Sequence, residues 1–151
     1  MRRVAVVVAA AFLVACSGGF VPGLGELMSL QQMRHAKLWF AGRDQNWPLA
    51  DYELDELQEG FDDVVKFHPT HKDAPLPLSE VVPKIMGKPI GDLRAAIRAH
   101  EPRAFVASYD ALTAGCNACH QATNFGFNVV RRPPGALWYG NQSFPPPAAG
   151  D

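Results

Sequence analysis

Apolar side chains recur at helical spacing in four separate stretches of this 151-residue chain. The stretches are divided by residues 42–47, by a proline-rich segment at 69–78 and by the region around His100 and Pro102. A spacing of three and four residues places apolar side chains on one face of an α-helix, and no segment alternates as a strand would. The sequence therefore predicts an all-α protein, an antiparallel four-helix bundle within residues 23–127.

The first two predicted helices are joined by a short connection. The first covers about residues 24–42, and the second begins with Pro48 in its first position and ends near His68. The apolar stripe of the first helix is formed by Leu24, Leu27, Met28, His35, Leu38 and Trp39. One face of the second helix is acidic and is predicted to be solvated; it carries Asp51, Glu53, Asp55, Glu56, Glu59, Asp62 and Asp63.

The last two predicted helices are followed by an irregular tail. Ser79 is expected to cap the third helix, which Gly87 and Pro89 should interrupt and kink before it ends near His100. The fourth helix begins near Pro102 and ends near residue 125. Residues 128–151 hold five of the 13 prolines and show no period, so they predict a tail that either packs over the surface or extends freely.

The N-terminal residues have the features of an export signal. Arg2 and Arg3 precede an apolar run at 4–14 that is too short to span a bilayer, so residues 1–15 predict a cleaved signal peptide. The run Leu-Val-Ala-Cys that ends at Cys16 resembles the lipobox of bacterial lipoproteins, which implies a lipid on Cys16 and a tether at 16–22. The alternative is a thiol beside an ordinary cleavage site. Both place the protein on the periplasmic side of a bacterial membrane.

Charge gives no sign of a nucleic-acid partner. The chain has 14 basic and 15 acidic side chains, and loss of Arg2 and Arg3 with the signal would leave a net charge of −3. A protein that binds a polyanion usually has a basic surface, which this balance does not predict.

Residues 116–120 read Cys-Asn-Ala-Cys-His, the pattern of covalent haem attachment. The thiols of Cys116 and Cys119 can each add to one vinyl group of a porphyrin, and His120 can then bind its iron. A zinc site would need two further ligands, and the third cysteine, Cys16, is assigned to the N-terminus. A thioredoxin-like pair would need a βαβ setting, and a plain disulfide would not explain the histidine. One covalently attached haem c is the prediction.

A single haem motif at the end of the last helix of a four-helix bundle resembles the class II c-type cytochromes, the cytochrome c-prime group. The resemblance covers about residues 24–126 and depends on motif position and helix number. It implies that haem lies between helices at one end of the bundle, with His120 on one face of the iron and a first-helix residue over the other. Because c-prime proteins often dimerise, it also leaves a homodimer open.

The sixth iron ligand is the open question in the first helix. In c-prime proteins the corresponding residue is often apolar, whereas other class II members have a methionine there. A step of 100° per residue places Met28 and His35 in the apolar stripe and Met33 on the opposite side. A buried imidazole needs a partner, so His35 is the first choice and Met28 the alternative. His35 could instead form hydrogen bonds within the core or with a haem propionate.

These residues predict an electron-transfer protein rather than an enzyme. Iron with two axial protein ligands can pass one electron with little rearrangement, which suits a periplasmic carrier between redox partner proteins. The alternative is a five-coordinate haem that binds nitric oxide or carbon monoxide. A peroxidase would need a distal acid–base pair, and Arg34 and His35 point about 100° apart on a helix.

Overall fold

The computed structural model describes residues 20–135 and 142–147, which form four α-helices packed against one another. No strand occurs in these two ranges. The signal peptide at 1–15 and Cys16 lie outside them, as does most of the tether at 16–22. The helices are α1 (Leu24–Arg43), α2 (Trp47–Phe67), α3 (Leu78–Arg98) and α4 (Pro102–Ala122).

The turn between α1 and α2 depends on Asn46. Its side-chain oxygen accepts a hydrogen bond from the Leu49 N–H at 3.3 Å, as expected of a helix N-cap. Gln45 has φ 57°, a left-handed conformation that reverses the chain sharply. α2 begins at Trp47, one residue earlier than predicted, so Pro48 occupies the second helical position instead of the first.

The third helix is uninterrupted, so the predicted break at Gly87 and Pro89 is wrong. Pro83 and Pro89 both lie inside it, and each removes one backbone hydrogen bond. The buried face continues through both prolines at helical spacing, and the apolar burial offsets these losses. That face consists of Leu78, Val81, Val82, Met86, Ile90, Leu93, Ala96 and Ile97.

The start of α3 also differs from the prediction. Pro77 occupies the N-cap position and Leu78, which is buried, is the first helical residue, so Ser79 lies inside the helix and does not cap it. The N–H of Ser79 instead donates to the carbonyl of Pro69 at 3.2 Å. This bond ties α3 to the end of α2, across the proline-rich connection.

The core lies between all four helices. α1 packs most extensively on α2 and α3 on α4, whereas the interface of α1 with α4 is the lightest of the four. Large side chains excluded from solvent fill the centre: Leu38, Phe40, Leu54, Leu57, Val64, Met86, Leu93, Ile97, Phe105, Tyr109 and Leu112.

Aromatic contacts show that α1 and α4 run in opposite directions. Trp39 packs against Phe105 and Tyr109, with ring centroids 6.3 and 5.1 Å apart. His35, one turn before Trp39 in α1, contacts Tyr109 and also Thr113, which lies one turn after Tyr109 in α4. Earlier residues of α1 therefore contact later residues of α4.

The Cys116–His120 motif and several exposed apolar side chains lie at one end of the molecule. His68, at the end of α2, bonds the Pro22 carbonyl at 2.8 Å, and Asn124, after α4, donates to the Asp73 carbonyl at 3.2 Å. Phe20, Val21, Leu76, Phe127 and Val129 are all at least 49% exposed and lie in the segments that meet here.

Two side chains of the described tail contact aromatic residues of α1. Arg132 lies over the Trp39 ring at 4.3 Å, and Phe144 lies against Phe40 with ring centroids 5.3 Å apart. Since Phe40 is three residues before Arg43, the last residue of α1, Phe144 lies towards the far end of the molecule from the motif. In the described ranges no helix is both long and apolar enough to cross a membrane.

Candidate functional site

The two thiols of the motif lie on the core side of the last turns of α4. Cys116 and Cys119 are both half-buried, pack against the apolar core and form no disulfide. Burial raises the pKa of Cys116 to about 12 and raises that of Cys119 as well. Both thiols are therefore protonated at neutral pH, unlike the low-pKa cysteine of a thiol-redox centre.

His120 has one ring nitrogen in a hydrogen bond and the other available. Its Nδ1 lies 2.6 Å from the carbonyl oxygen of Asn128, and a carbonyl can only accept, so Nδ1 carries the proton. In neutral imidazole the lone pair then lies on Nε2, for which no hydrogen bond is seen among the described residues. This is the arrangement of a typical metal-ligating histidine, whose second nitrogen is held by a backbone carbonyl.

The end of α4 is shaped to bring Asn128 back to His120. Asn124 follows the helix with φ 66°, a left-handed conformation that asparagine tolerates well. The next residue, Phe125, donates its N–H to the His120 carbonyl at 2.7 Å and accepts from the Asn128 N–H at 2.8 Å. These two turns return the chain over the last turn of α4.

Asn117, inside the motif, is not among the functional residues predicted from the sequence. Its amide donates to the Val130 carbonyl and accepts from the Val130 N–H, both at 2.8 Å. An asparagine within an otherwise permissive motif was the only signal in the sequence, because its partner lies in a segment without periodicity.

His35 is buried between α1 and α4, with both ring nitrogens engaged. Nε2 lies 2.8 Å from the Thr113 hydroxyl, and Nδ1 lies 2.9 Å from the Tyr109 hydroxyl. Those hydroxyls also reach backbone carbonyls, so either ring nitrogen can carry the proton. Burial lowers the pKa of His35 to about 4, so it is neutral at pH 7. This geometry matches the alternative considered from the sequence, a core histidine with hydrogen-bond partners.

Met28 is the first-helix candidate that lies level with the motif. Seven residues of α-helix advance about 10.5 Å and fall about 20° short of two full turns. His35 contacts Thr113, and the two helices run in opposite directions. Met28, seven residues before His35, and His120, seven residues after Thr113, are therefore displaced by the same distance towards the same end of the molecule. His35 is therefore about 10 Å away from the level of His120 along the axis.

The other first-helix candidates have partners elsewhere or face away from α4. Arg34 pairs with Glu56 of α2 at 3.0 Å and also bonds Gln31, so it does not form a distal pair with His35, which faces α4. Met33 is half-buried and lies about 160° around the helix from His35. These residues do not form the convergent acid–base pair that a peroxidase needs.

The remaining histidines lie apart from the motif or beside it without converging on it. His100 is exposed and stacks on Trp47, while His71 contacts Phe125 edge-on. Across residues 20–135 and 142–147, no group of three or more histidine, cysteine or acidic side chains is arranged to hold a metal ion.

The residues at the end of α4 fit a covalently attached haem. The two thiols are one turn apart on one face, His120 presents an imidazole lone pair, and Met28 offers a thioether across the lightly packed α1–α4 interface. The exposed apolar side chains at this end are suited to cover a large apolar ring.

Comparison with known proteins gives no independent assignment. No family model matches the chain, and no curated protein or solved structure matches it.

Proposed function

We propose that this protein is a monohaem c-type cytochrome that carries one electron, built as an antiparallel four-helix bundle of the class II type. The observation that carries the proposal is the Nδ1 hydrogen bond from His120 to the Asn128 carbonyl at 2.6 Å. In that tautomer the lone pair of Nε2 would be available to bind iron, in the residue that follows Cys119 in the sequence. Metal-ligating histidines usually donate their second ring N–H to a carbonyl or carboxylate in this way, which supports the assignment.

We further propose Met28 as the sixth ligand, in place of His35. Met28 is supported by the register that joins α1 to α4, and His35 is disfavoured because both its nitrogens are already hydrogen-bonded in the core. Bound iron would supply a reversible one-electron change, and histidine with methionine is an axial pair typical of electron-transfer cytochromes. If His120 and Met28 both bind the iron, no position would be left for an external ligand.

Haem attachment is tested on the full chain produced in a bacterium that carries the haem-attachment machinery. We expect an intact mass that includes one haem and a haem stain that survives denaturation. The matched control replaces both Cys116 and Cys119 with serine and should lose the stain. A wild-type protein without covalent haem would overturn the proposal.

The sixth ligand is tested by a pair of alanine variants. The reduced wild type should give a low-spin absorption spectrum that carbon monoxide does not change. Met28→Ala should become high-spin and bind carbon monoxide, because the iron loses its ligand. His35→Ala should stay low-spin and only lose stability. The opposite pattern in the two variants would return the ligand role to His35.

Gas binding is the second candidate function, and one observation favours it. Since His35 is held in the core, Met28 alone decides whether the sixth position is filled, and Met28 is only half-buried. A wild-type spectrum that is high-spin and shifts with carbon monoxide would replace the electron carrier with a five-coordinate haem that binds nitric oxide or carbon monoxide.

The proposed location follows from the N-terminal sequence. Acylation of Cys16 would anchor the domain by a lipid to the periplasmic side of a bacterial membrane, where haem is attached and where redox partner proteins are met.

A further inference from the structure

Residues 125–132 form a strap that runs back along α4 from the haem motif. The strap is held at its start by the Phe125 N–H on the His120 carbonyl. It is held in the middle by the paired Asn117–Val130 hydrogen bonds. At its end, Arg132 pairs with the Asp110 carboxylate and lies over the Trp39 ring.

The middle attachment controls the part of the strap that contacts His120. Asn128 is two residues before Val130, and its carbonyl is the partner of His120 Nδ1. The side chains of Asn117 and His120 lie about 60° apart on α4 and one turn apart along it, so they form adjacent attachment points for the strap. Val129, between the two attachments, is 74% exposed and contributes little packing of its own. Hydrogen bonds, rather than apolar burial, therefore hold Asn128 in place.

We propose that Asn117 is a positioning residue: by clamping Val130 it holds the Asn128 carbonyl against His120 and thereby sets the reduction potential of the haem. This inference rests on the proposed function, since it assigns His120 to iron. A carbonyl that accepts from Nδ1 makes the imidazole a stronger electron donor, which favours the oxidised iron. Loosening the strap weakens that bond and shifts the reduction potential to a more positive value.

The test compares three full-length variants with wild type. Asn117→Ala removes both hydrogen bonds to Val130, and Asn117→Asp keeps only the bond from the Val130 N–H. Gln121→Ala is the matched control, because Gln121 is an exposed amide one turn further along α4. Haem should still attach to every variant, since attachment uses the two thiols and His120.

Two measurements are made on each protein: the reduction potential, and the hydrogen exchange of the Val130 amide by NMR. We expect Asn117→Ala to raise the potential and to lose the Val130 protection, with Asn117→Asp keeping part of that protection and Gln121→Ala unchanged in both. The potential is compared between Asn117→Ala, Gln121→Ala and wild type, because the carboxylate of Asn117→Asp would itself lower it.

The two measurements separate failure of the clamp from failure of the proposed function. Unchanged Val130 exchange in Asn117→Ala would overturn the clamp, whether or not haem is present. Faster exchange with an unchanged potential would overturn the link between the strap and His120. A wild type without haem would overturn the proposed function, and with it the role of Asn117 toward iron, while the exchange data would still report on the clamp.

Discussion

At the scale of single residues, His35 shows how burial and hydrogen bonding decide what an imidazole can do. Only 3% of His35 is exposed, and the hydroxyls of Tyr109 and Thr113 occupy its two nitrogens. Burial disfavours the charged ring, so its pKa falls from 6.5 to about 4. His35 is thus a neutral polar link between α1 and α4, and its contribution to stability depends on pH.

The sign of that dependence follows from proton binding. The unfolded chain takes up a proton at His35 near pH 6.5, whereas the folded protein resists protonation until about pH 4. Stability from this residue is therefore complete above pH 6.5 and is lost as the pH falls towards 4. One pKa unit corresponds to about 1.4 kcal/mol, so the total loss should be about 3 kcal/mol.

His35→Gln is expected to remove this pH dependence, because glutamine retains hydrogen-bonding groups but does not titrate. Urea unfolding of both proteins at pH 7, 5.5 and 4 measures it as the difference in unfolding free energy. Parallel pH profiles for the two proteins would show that His35 does not titrate as its burial indicates.

Glu53 is an exception among the acidic residues of α2. The sequence predicts that it belongs to a solvated face, but only 1% of it is exposed. Burial raises its pKa, and the ammonium group of Lys37 lies 3.6 Å away. The remaining members of that face are exposed or half-buried, as predicted. Charge alone does not reveal which carboxylate the neighbouring helix and the tail will cover.

At the scale of helices, a close approach fixes how α1 meets α4. Gly42 lies against the Phe105 ring, and a Cβ at this position would overlap that ring. Phe105 is wholly buried among aromatic neighbours, so it has no room to move away. In contrast, Gly87 lies in the interior of α3, with nothing within 4 Å of the position where its Cβ would be.

These two glycines should respond oppositely to the same substitution. Gly42→Ala is expected to destabilise the protein by roughly 1–3 kcal/mol, because the added methyl group would overlap the buried Phe105 ring. Gly87→Ala should stabilise by about 0.5–1 kcal/mol, because alanine restricts the unfolded chain and favours helix. Thermal unfolding of each variant against wild type measures both effects. A neutral Gly42→Ala would mean that α1 and α4 are further apart than described.

At the scale of the whole molecule, the proposed lipid attachment site at Cys16 precedes the four helices in sequence. If Cys16 carries the proposed lipid, loss of its thiol would remove the attachment point without changing the sequence of the helical domain. Cys16→Ser is therefore expected to move the protein from the membrane fraction to the soluble periplasmic fraction while haem attachment is retained. Fractionation with haem staining measures this, and a variant that still sediments with membranes would contradict lipid anchoring through Cys16.

Much of the fold was predictable because helices that pack on one core carry a local periodic signal. Four helices were expected, and α1, α2 and α4 begin within a residue of the predicted positions. The errors occur where tertiary burial outweighs a local preference. Pro83 and Pro89 remain inside α3 because its apolar face continues across them, and Leu78 begins the helix in place of a serine cap.

In the candidate site, too, some features are predictable from local sequence and others depend on tertiary packing. The motif at 116–120 predicts the attachment of haem from spacing alone, since the reactive groups are neighbours in sequence. Three features depend on residues far apart in the chain: the Asn128 carbonyl on His120, the Asn117–Val130 clamp, and the exchange of His35 for Met28 as the candidate level with the motif. Each arises from the register of α1 against α4 or from the path of an aperiodic tail. The register and the path of the tail produce no periodic pattern in the sequence, because both depend on which surfaces meet when the four helices pack.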